Sequence, residues 1–547
     1  MDLSHFRNKT YPDFSLPDTK AMMNGGLRLL EENYLGKEWP EIFVGKELKF
    51  GTNQYRTRDP NDPNVVIGTF HQHYESGMDG NELAFVTGPH LRDELEKVRN
   101  ASLEWNRLGI EKRAETIERV ADIMEDRIWL ICAALVREVG KSFIEAYAAT
   151  AEGIDFLRWD SKLARREYEY VMPKTPEFAG SRNERVLVPH GVMLSIDPFN
   201  FQEAIGTDQM AKMLLMGNAV VSSPSDKSSL TGRLIYQAFS DGLEQSGVHI
   251  PGLINFVPGG AGMKRALLRQ SQISAISFTG SRNTLDSIID EFGSIKRSNG
   301  GRLLIATAET SGVNPVYVHR DANLDEAARG IAAAMCGLSG QKCSAISTLI
   351  VHKDVYSKLM PKVYDAIDAL KFGKTVDGAY YGGVITREAM DKIYGQIKQL
   401  EFLGAKKKYQ HEIDNTLPGN NVTATVLEIN LGAVDSTKMR NLEIFGPVFT
   451  TIQVNNEHEA KRVFNAGDFA LTGSIYTEDQ ALIQTAVDSW NVGQLYVNRK
   501  PTGALVGTEA FGGLLSGSSL SGHKAGSVDS LKPFYSEKTI SGFNSLR

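Results

Sequence analysis

From Gly191 to Gly280 the chain alternates short apolar runs with helical stretches, and nothing else in the sequence constrains the fold as strongly. Val192 to Ile196, Ala219 to Ser222, Ile254 to Val257 and Ile273 to Phe278 are apolar or small-residue segments of strand length. Gln209 to Met216 and Leu230 to Gln245 are the helix candidates between them. A strand covered on both faces reads as an unbroken apolar run, and parallel neighbours need a long crossover, usually a helix. The alternation therefore predicts βαβ units and a parallel sheet. Ligands of such sheets bind beyond the carboxyl ends of the strands, where glycine admits close approach and helix N-termini face phosphate. Thr279-Gly280-Ser281 ends the fourth run at such a place, although the triplet by itself is also an ordinary turn.

A second α/β unit begins near Pro315. Leu324, Ala327, Ala328, Ile331, Ala332 and Met335 recur on one face of a helix that Gly337 and Gly340 would end. Strands are expected at Thr348 to Val351, Val448 to Val454, Gly473 to Tyr476 and Gln494 to Val497. Leu91 to Leu163 reads as several stacked helices, and residues 1 to 75, with five prolines, as an irregular arm with short strands such as Glu41 to Val44. Tyr168 to Val188, broken by Pro173, Pro176 and Gly180, has the pattern of a hairpin arm; Phe534 to Phe543 is a further strand.

The 66 acidic and 60 basic residues are spread along the 547, giving a net charge of −6, so no basic face exists to collect nucleic acid or anionic lipid. The longest apolar run, Ile128 to Val136, is too short for a membrane span, and the N-terminus has no apolar leader segment. Cys132, Cys336 and Cys343 cannot build a disulfide framework and have no zinc-site spacing; a cytoplasmic protein without a metal is expected. An isolated cysteine among small residues is more often inert packing than a nucleophile. Cys343, however, follows the expected buried helix on a loop, Ser339-Gly340-Gln341-Lys342-Cys343-Ser344-Ala345, with Glu309 upstream in Ala308-Glu309-Thr310. A thiolate attacks carbonyl carbon readily, and a carboxylate in reach could activate first the thiol and then a water.

Seven motifs in order extend that pair: Asp197-Pro198-Phe199-Asn200-Phe201, Ser223-Pro224-Ser225-Asp226, Ser277-Phe278-Thr279-Gly280-Ser281, Glu309, Gly340-Gln341-Lys342-Cys343, Glu443-Ile444-Phe445-Gly446-Pro447-Val448, and Thr502-Gly503-Ala504 leading to Phe511-Gly512-Gly513. From about residue 90 to the end the chain resembles the aldehyde dehydrogenase superfamily, and most closely the branch that oxidises glutamate semialdehyde. The resemblance implies a Rossmann-like cofactor domain (residues 40–165 and 190–311), an α/β catalytic domain (312–515), an N-terminal arm (1–39), and a β-hairpin oligomerisation arm (166–189 with 516–547). It implies that Cys343 is the nucleophile, Glu309 the base and Asn200 an oxyanion donor. A dinucleotide would be held by Ile196, Pro198, Phe199, Ser223, Ser225, Asp226, Gly260, Phe278, Gly280, Ser281, Glu443 and Phe445. The aldehyde would meet Glu152, Phe201, Ser344, Gly503, Ala504 and Phe511.

Three positions depart from the family pattern: Ser223 replaces the usual lysine, with Lys227 as a substitute; Ser311 stands in a glycine-rich stretch; Leu285 replaces a glycine. A carboxylate at Asp226 would repel a 2′-phosphate, which favours NAD with NADP as the alternative. The reading is thus an NAD-dependent oxidation of glutamate semialdehyde by a homodimer or an assembly of dimers. A dehydrogenase for another small or carboxylated aldehyde, and a catalytically silent binding protein, are the rival readings.

Overall fold

The computed structural model describes residues 3, 5–48, 53–72, 74–76, 83–85, 91–169, 181–298, 304–414, 416–432, 436 and 441–543. The apolar runs after Gly191 form a parallel sheet, ordered Ile305–Glu309, Ile273–Thr279, Val192–Ile196, Ala219–Ser223, Ile254–Phe256. Glu41–Phe43 and Lys46–Leu48 extend it antiparallel at the far edge. Chain order runs outward in both directions from Val192–Ile196, so the connections reverse between that strand and Ile273–Thr279. A crevice opens beyond the carboxyl ends at such a reversal. All five residues of Val192–Ile196 are buried, which is why the segment shows no polar alternation.

The second sheet is ordered Lys406–Gln410, Thr425–Glu428, Val448–Val454, Ile346–His352, Asn314–Val318, Thr472–Tyr476, Gln494–Val497, parallel except at its first pair. Alternate residues feed two separate cores. Val316, Val318, Leu349 and Val351 pack on one face with Ile331 and Met335, while Tyr317, Ile350, Ile452 and Ile475 pack on the other. The helix Leu324–Cys336 lies on the first of these faces, as its periodicity predicts. Asn323 caps it by accepting from the N–H groups of Asp325 and Glu326, an interaction whose loss costs about 1 kcal/mol. Because this helix leads directly into the Cys343 loop, its cap and apolar face fix where Cys343 sits.

Two expectations are corrected. Pro17–Asn33 is a helix rather than irregular arm: Pro17 occupies the first turn, where a missing N–H is harmless, and Met23, Leu27 and Leu30 bury one stripe in the first core. Asn24, Gly25 and Gly26 inside it lower its propensity and hide it from sequence reading. The helix expected at Gln209 starts at Gln202, because Gln202, Glu203, Thr207 and Asp208 are buried along with their apolar neighbours and blur the amphipathic period. Ser181–Pro189, at the end of the expected arm, pairs antiparallel with Tyr535–Phe543. The turn expected at Pro173, Pro176 and Gly180 lies outside the described residues.

The Gly- and Ser-rich segment near the end of the chain stitches the two sheets together. Leu520 N–H bonds Ala308 O beside the first sheet, and Leu514 N–H bonds Ala470 O beside the second. Among the described residues no helix is long and apolar enough to cross a membrane.

Candidate active site

After Cys336 the chain turns through three consecutive left-handed residues, Leu338 (φ 50°), Ser339 (φ 53°) and Gly340 (φ 71°). Non-glycine residues there cost about 1–3 kcal/mol each and persist only when the surroundings over-determine them. Here they do: the Ser339 hydroxyl donates to Gly382 O at 2.8 Å, and Gln341 Oε1 accepts Ile385 N–H at 2.9 Å. At Gly340 a Cβ would lie 2.1 Å from Gly446 O, so only glycine fits. Asn314 then holds the outgoing loop, its Nδ2 donating to Cys343 O (2.7 Å) and Ala345 O (2.8 Å) while its Oδ1 accepts Thr472 N–H (3.1 Å).

The strained turn delivers Cys343 to a cavity of about 500 Å³ that Glu309, Ser344, Glu152, Phe201, Gly503, Ala504 and Phe511 also line. Cys343 and Glu309, which both line this cavity, are shifted toward their neutral forms. Burial, reinforced by the charges of Glu443 and Glu309, pushes the Cys343 thiol up to about 12, so the resting group is a thiol. Burial likewise raises Glu309 to about 7, against opposing hydrogen bonds from Ser519, Ser521 and Gly513. A carboxyl titrating there is suited to general-base work near neutrality. Asn200 is buried on the turn after Pro198 and Phe199, and its Nδ2 donates to Gln341 O at 2.9 Å, tying that turn to the nucleophile loop. Cys132 and Cys336 are buried in the two cores, both raised above the usual thiol range by burial.

The dinucleotide candidates collect beyond the carboxyl ends of the first sheet. Ile196 and Phe278 are buried, which leaves their backbone for the crevice. Ser281 precedes the helix Arg282–Ser298, and its hydroxyl accepts Thr284 N–H at 3.3 Å, so the first helical N–H groups open next to it. Ser223 is fully buried, with no hydrogen-bond partner for its hydroxyl among the described residues. An orphaned polar atom at that strand end fits a site completed by a polar ligand. Lys227 pairs with Asp226 at 2.9 Å, and Gly260 faces the Asp226 carboxylate. Lys264, which sequence reading missed, sends its ammonium to Gly259 O (2.9 Å) and Pro224 O (3.3 Å) between the same two loops, and burial lowers it to about 8. Across the crevice, Glu443 Oε1 accepts Gly312 N–H at 3.0 Å and also bonds the Ser311 hydroxyl, which gives that departure a partner. Phe199 and Phe445 meet edge to face at 6.1 Å. Leu285 is wholly buried in the first core, so the glycine it replaces leaves no gap.

At the other end of the cavity, Gly503 (φ 86°) begins a loop braced by Arg499, which donates to Gly503 O at 3.0 Å and pairs with Glu509 at 2.6 Å. Glu152 lines the wall, and its carboxyl is raised to about 8, chiefly by burial and then by Glu203, Asp208 and Asp155 against the pull of Lys141. Lys141 lies 3.7 Å from the Phe201 ring centroid and makes a wholly buried pair with Glu203 at 2.8 Å. Lys342 pairs with Glu145, whereas Lys500 lines the cavity with no ion-pair partner within 4.0 Å among the described residues; its pKa is lowered by burial. Tyr11 also reaches the cavity wall, so the N-terminal stretch contributes to the site, contrary to its bland sequence. Arg499, Lys500 and Tyr11 carry no motif; only the fold brings them here.

The family model described as "Aldehyde dehydrogenase family" matches residues 85–540. The chain is 30% identical over 539 residues to a 1-pyrroline-5-carboxylate dehydrogenase of Staphylococcus aureus (strain MW2), covering 98% of this chain and 99% of that one. It is 32% identical over 511 residues to the protein of the same name from Staphylococcus saprophyticus, with 93% of each covered. The solved 1-pyrroline-5-carboxylate dehydrogenase from Thermus with bound NAD superposes with a TM-score of 0.88 at 28% identity, over 99% of this chain and 100% of that one.

Proposed function

We propose, from the premise that this chain belongs to the aldehyde dehydrogenase family, that it oxidises L-glutamate γ-semialdehyde, the open form of 1-pyrroline-5-carboxylate, to L-glutamate with NAD as acceptor. The observation that carries this reading is one cavity holding Cys343 and Glu309 together with Glu152 and the Gly503–Ala504 loop.

The mechanism follows from the protonation states. Cys343 is a thiol at rest, so its proton must leave as Sγ attacks the aldehyde carbon, and Glu309, whose charge is felt at the sulfur, receives it. The alkoxide formed at the aldehyde oxygen is stabilised by Asn200 Nδ2 and the Cys343 backbone N–H, donors held by the strained loop before the reaction starts. Ser225, Asp226, Gly260 and Ser281 would hold the adenosine and pyrophosphate portions of a dinucleotide and Glu443 and Phe445 its nicotinamide end, which would supply the acceptor for the hydride leaving the tetrahedral carbon. Cys343 is left as a thioester. Once Glu309 has passed the thiol's proton to solvent, it takes a proton from water, the water oxygen bonds the acyl carbon, the C–S bond breaks, and Sγ recovers a proton.

Glu152 supports an amino-acid semialdehyde over a simple aldehyde. A carboxyl held near 8 in the free site becomes fully ionised when an ammonium docks against it, so binding and ionisation reinforce each other. The Gly503 and Ala504 backbone and Ser344 are placed for the α-carboxylate, with Phe201 and Phe511 against the methylenes. NAD reduction should be fastest with glutamate semialdehyde, far slower with succinate semialdehyde and propanal, and absent in Cys343→Ala. Equal kcat/KM across the panel would remove the substrate assignment, and activity in Cys343→Ala would remove the mechanism.

Sheet membership supports a division into a cofactor unit of residues 40–165 with 190–311 and a catalytic unit of 312–515. The two-stranded sheet of Ser181–Pro189 and Tyr535–Phe543 supports an oligomerisation arm, because so small a sheet needs a further surface to be stable. A homodimer in the cytoplasm completes the proposal; three free cysteines fit a reducing compartment. Sedimentation as a 60.2 kDa monomer at micromolar concentration would contradict the dimer.

A further inference from the structure

Glu309 is held from outside its own sheet. The segment Ser518–Leu520 lies antiparallel beside it, with Thr310 N–H bonding Ser518 O at 2.7 Å and Leu520 N–H bonding Ala308 O at 3.0 Å. That pairing sets two hydroxyls on one carboxylate oxygen: Ser519 Oγ lies 2.6 Å and Ser521 Oγ 2.8 Å from Glu309 Oε1. Oε2 receives one backbone donor, Gly513 N–H at 3.2 Å. Ser519 Oγ accepts Ser521 N–H at 3.2 Å, and of the two acceptors within reach of its own proton, Glu309 Oε1 at 2.6 Å is closer than Ser521 O at 3.0 Å and, when ionised, the stronger.

We propose that Ser519 and Ser521 are positioning residues for hydrolysis of the acyl-enzyme, holding Glu309 by Oε1 so that Oε2 is the oxygen that takes the proton from water. Oε1 has both acceptor directions filled, whereas Oε2 keeps one open. Two hydroxyl donors also favour the ionised carboxylate against burial, so the pair sets the pH at which Glu309 becomes a base. The other titratable groups acting on it are Lys524, from the same segment, and Cys343, from the nucleophile loop, and neither lies on the serine pair. The proposal rests on the acyl-enzyme mechanism above.

The test uses p-nitrophenyl acetate, which acylates a cysteine without semialdehyde or cofactor. Acetyl-Cys343 is formed on the full-length protein and its decay is followed by mass spectrometry from about pH 5 to about pH 9. In S519A/S521A the decay at neutral pH should fall about tenfold and its acidic limb move up by about one pH unit; S519T/S521T, which keeps both hydroxyls, should stay within about twofold of the parent. Ser521→Ala alone should move the limb by about half a unit, so the idea can be judged even if the double variant does not fold. An unmoved limb in the alanine variants, or threonine variants that behave like alanine, would overturn the proposal. A chain that shows the shift yet does not oxidise glutamate semialdehyde would support the serine pair and remove only the substrate assignment.

Discussion

Asn314→Leu is the substitution that most severely tests how the nucleophile is held. The leucine has the same number of side-chain heavy atoms and the same branching as asparagine but no polar atoms, and the site is wholly buried. It strips the donors from Cys343 O (2.7 Å) and Ala345 O (2.8 Å) and the acceptor from Thr472 N–H (3.1 Å). Each buried group left without a partner costs about 1–3 kcal/mol, and the leucine side chain recovers about 1–2 kcal/mol of apolar burial. The net expectation is a loss of about 3–5 kcal/mol, large against the whole stability of a folded domain. Catalysis should suffer as well, because a displacement of about 1 Å at the reacting atom can cost about a hundredfold. Urea unfolding followed by tryptophan fluorescence would show the midpoint falling, and iodoacetamide should label Cys343 faster as its loop loosens while kcat/KM drops. A midpoint and labelling rate both equal to the parent's would refute the claim that Asn314 ties the nucleophile loop to its neighbouring strand.

Glu309→Gln should be relatively more stable at high pH. The folded-state carboxyl is raised to about 7 from an ordinary 4.5, so ionisation is penalised as pH rises through that window and the parent loses stability there; thermal midpoints should diverge between about pH 4.5 and about pH 7, and a pH-independent gap would contradict this. Gly340→Ala places a methyl 2.1 Å from Gly446 O at a positive φ and should abolish acylation of Cys343 by ester substrates; retained acylation would show that the turn can relax. Lys141→Met alone leaves Glu203 buried and uncompensated and should cost about 3–5 kcal/mol, while the double variant Lys141→Met with Glu203→Leu should recover most of it by denaturant unfolding. Equal losses in the single and double variants would show that the pair itself is not what the single change breaks.

Much of the scaffold was readable because its signals are local. Buried strands such as Val192–Ile196 announce themselves as apolar runs, and the helix before Cys343 shows its stripe and its Asn323 cap within a few residues. Cys343 and Glu309 stood out through the motifs around them rather than as isolated residue types. What stayed hidden depends on contacts far apart in the chain. Ser519 and Ser521 look like loop residues until Leu520 pairs with Ala308, and Asn314 looks like a turn asparagine until three partners from one loop and a strand close on it. The helix Pro17–Asn33 was masked by its own glycines, and the partner of Ser181–Pro189 lies at the opposite end of the sequence. The resting state of Cys343 is hidden for the same reason: a thiol's ionisation depends on what buries it, and sequence spacing does not contain that.

The central claim is that acid is released from a thioester on Cys343 by a water that Glu309 deprotonates. Glutamate semialdehyde and NAD mixed with Glu309→Gln, quenched and read by peptide mass spectrometry, test it directly. The account predicts one rapid equivalent of NADH per chain with the glutamyl group retained on the Cys343 peptide. Steady turnover with no adduct, or an adduct on Cys132 or Cys336, would contradict it.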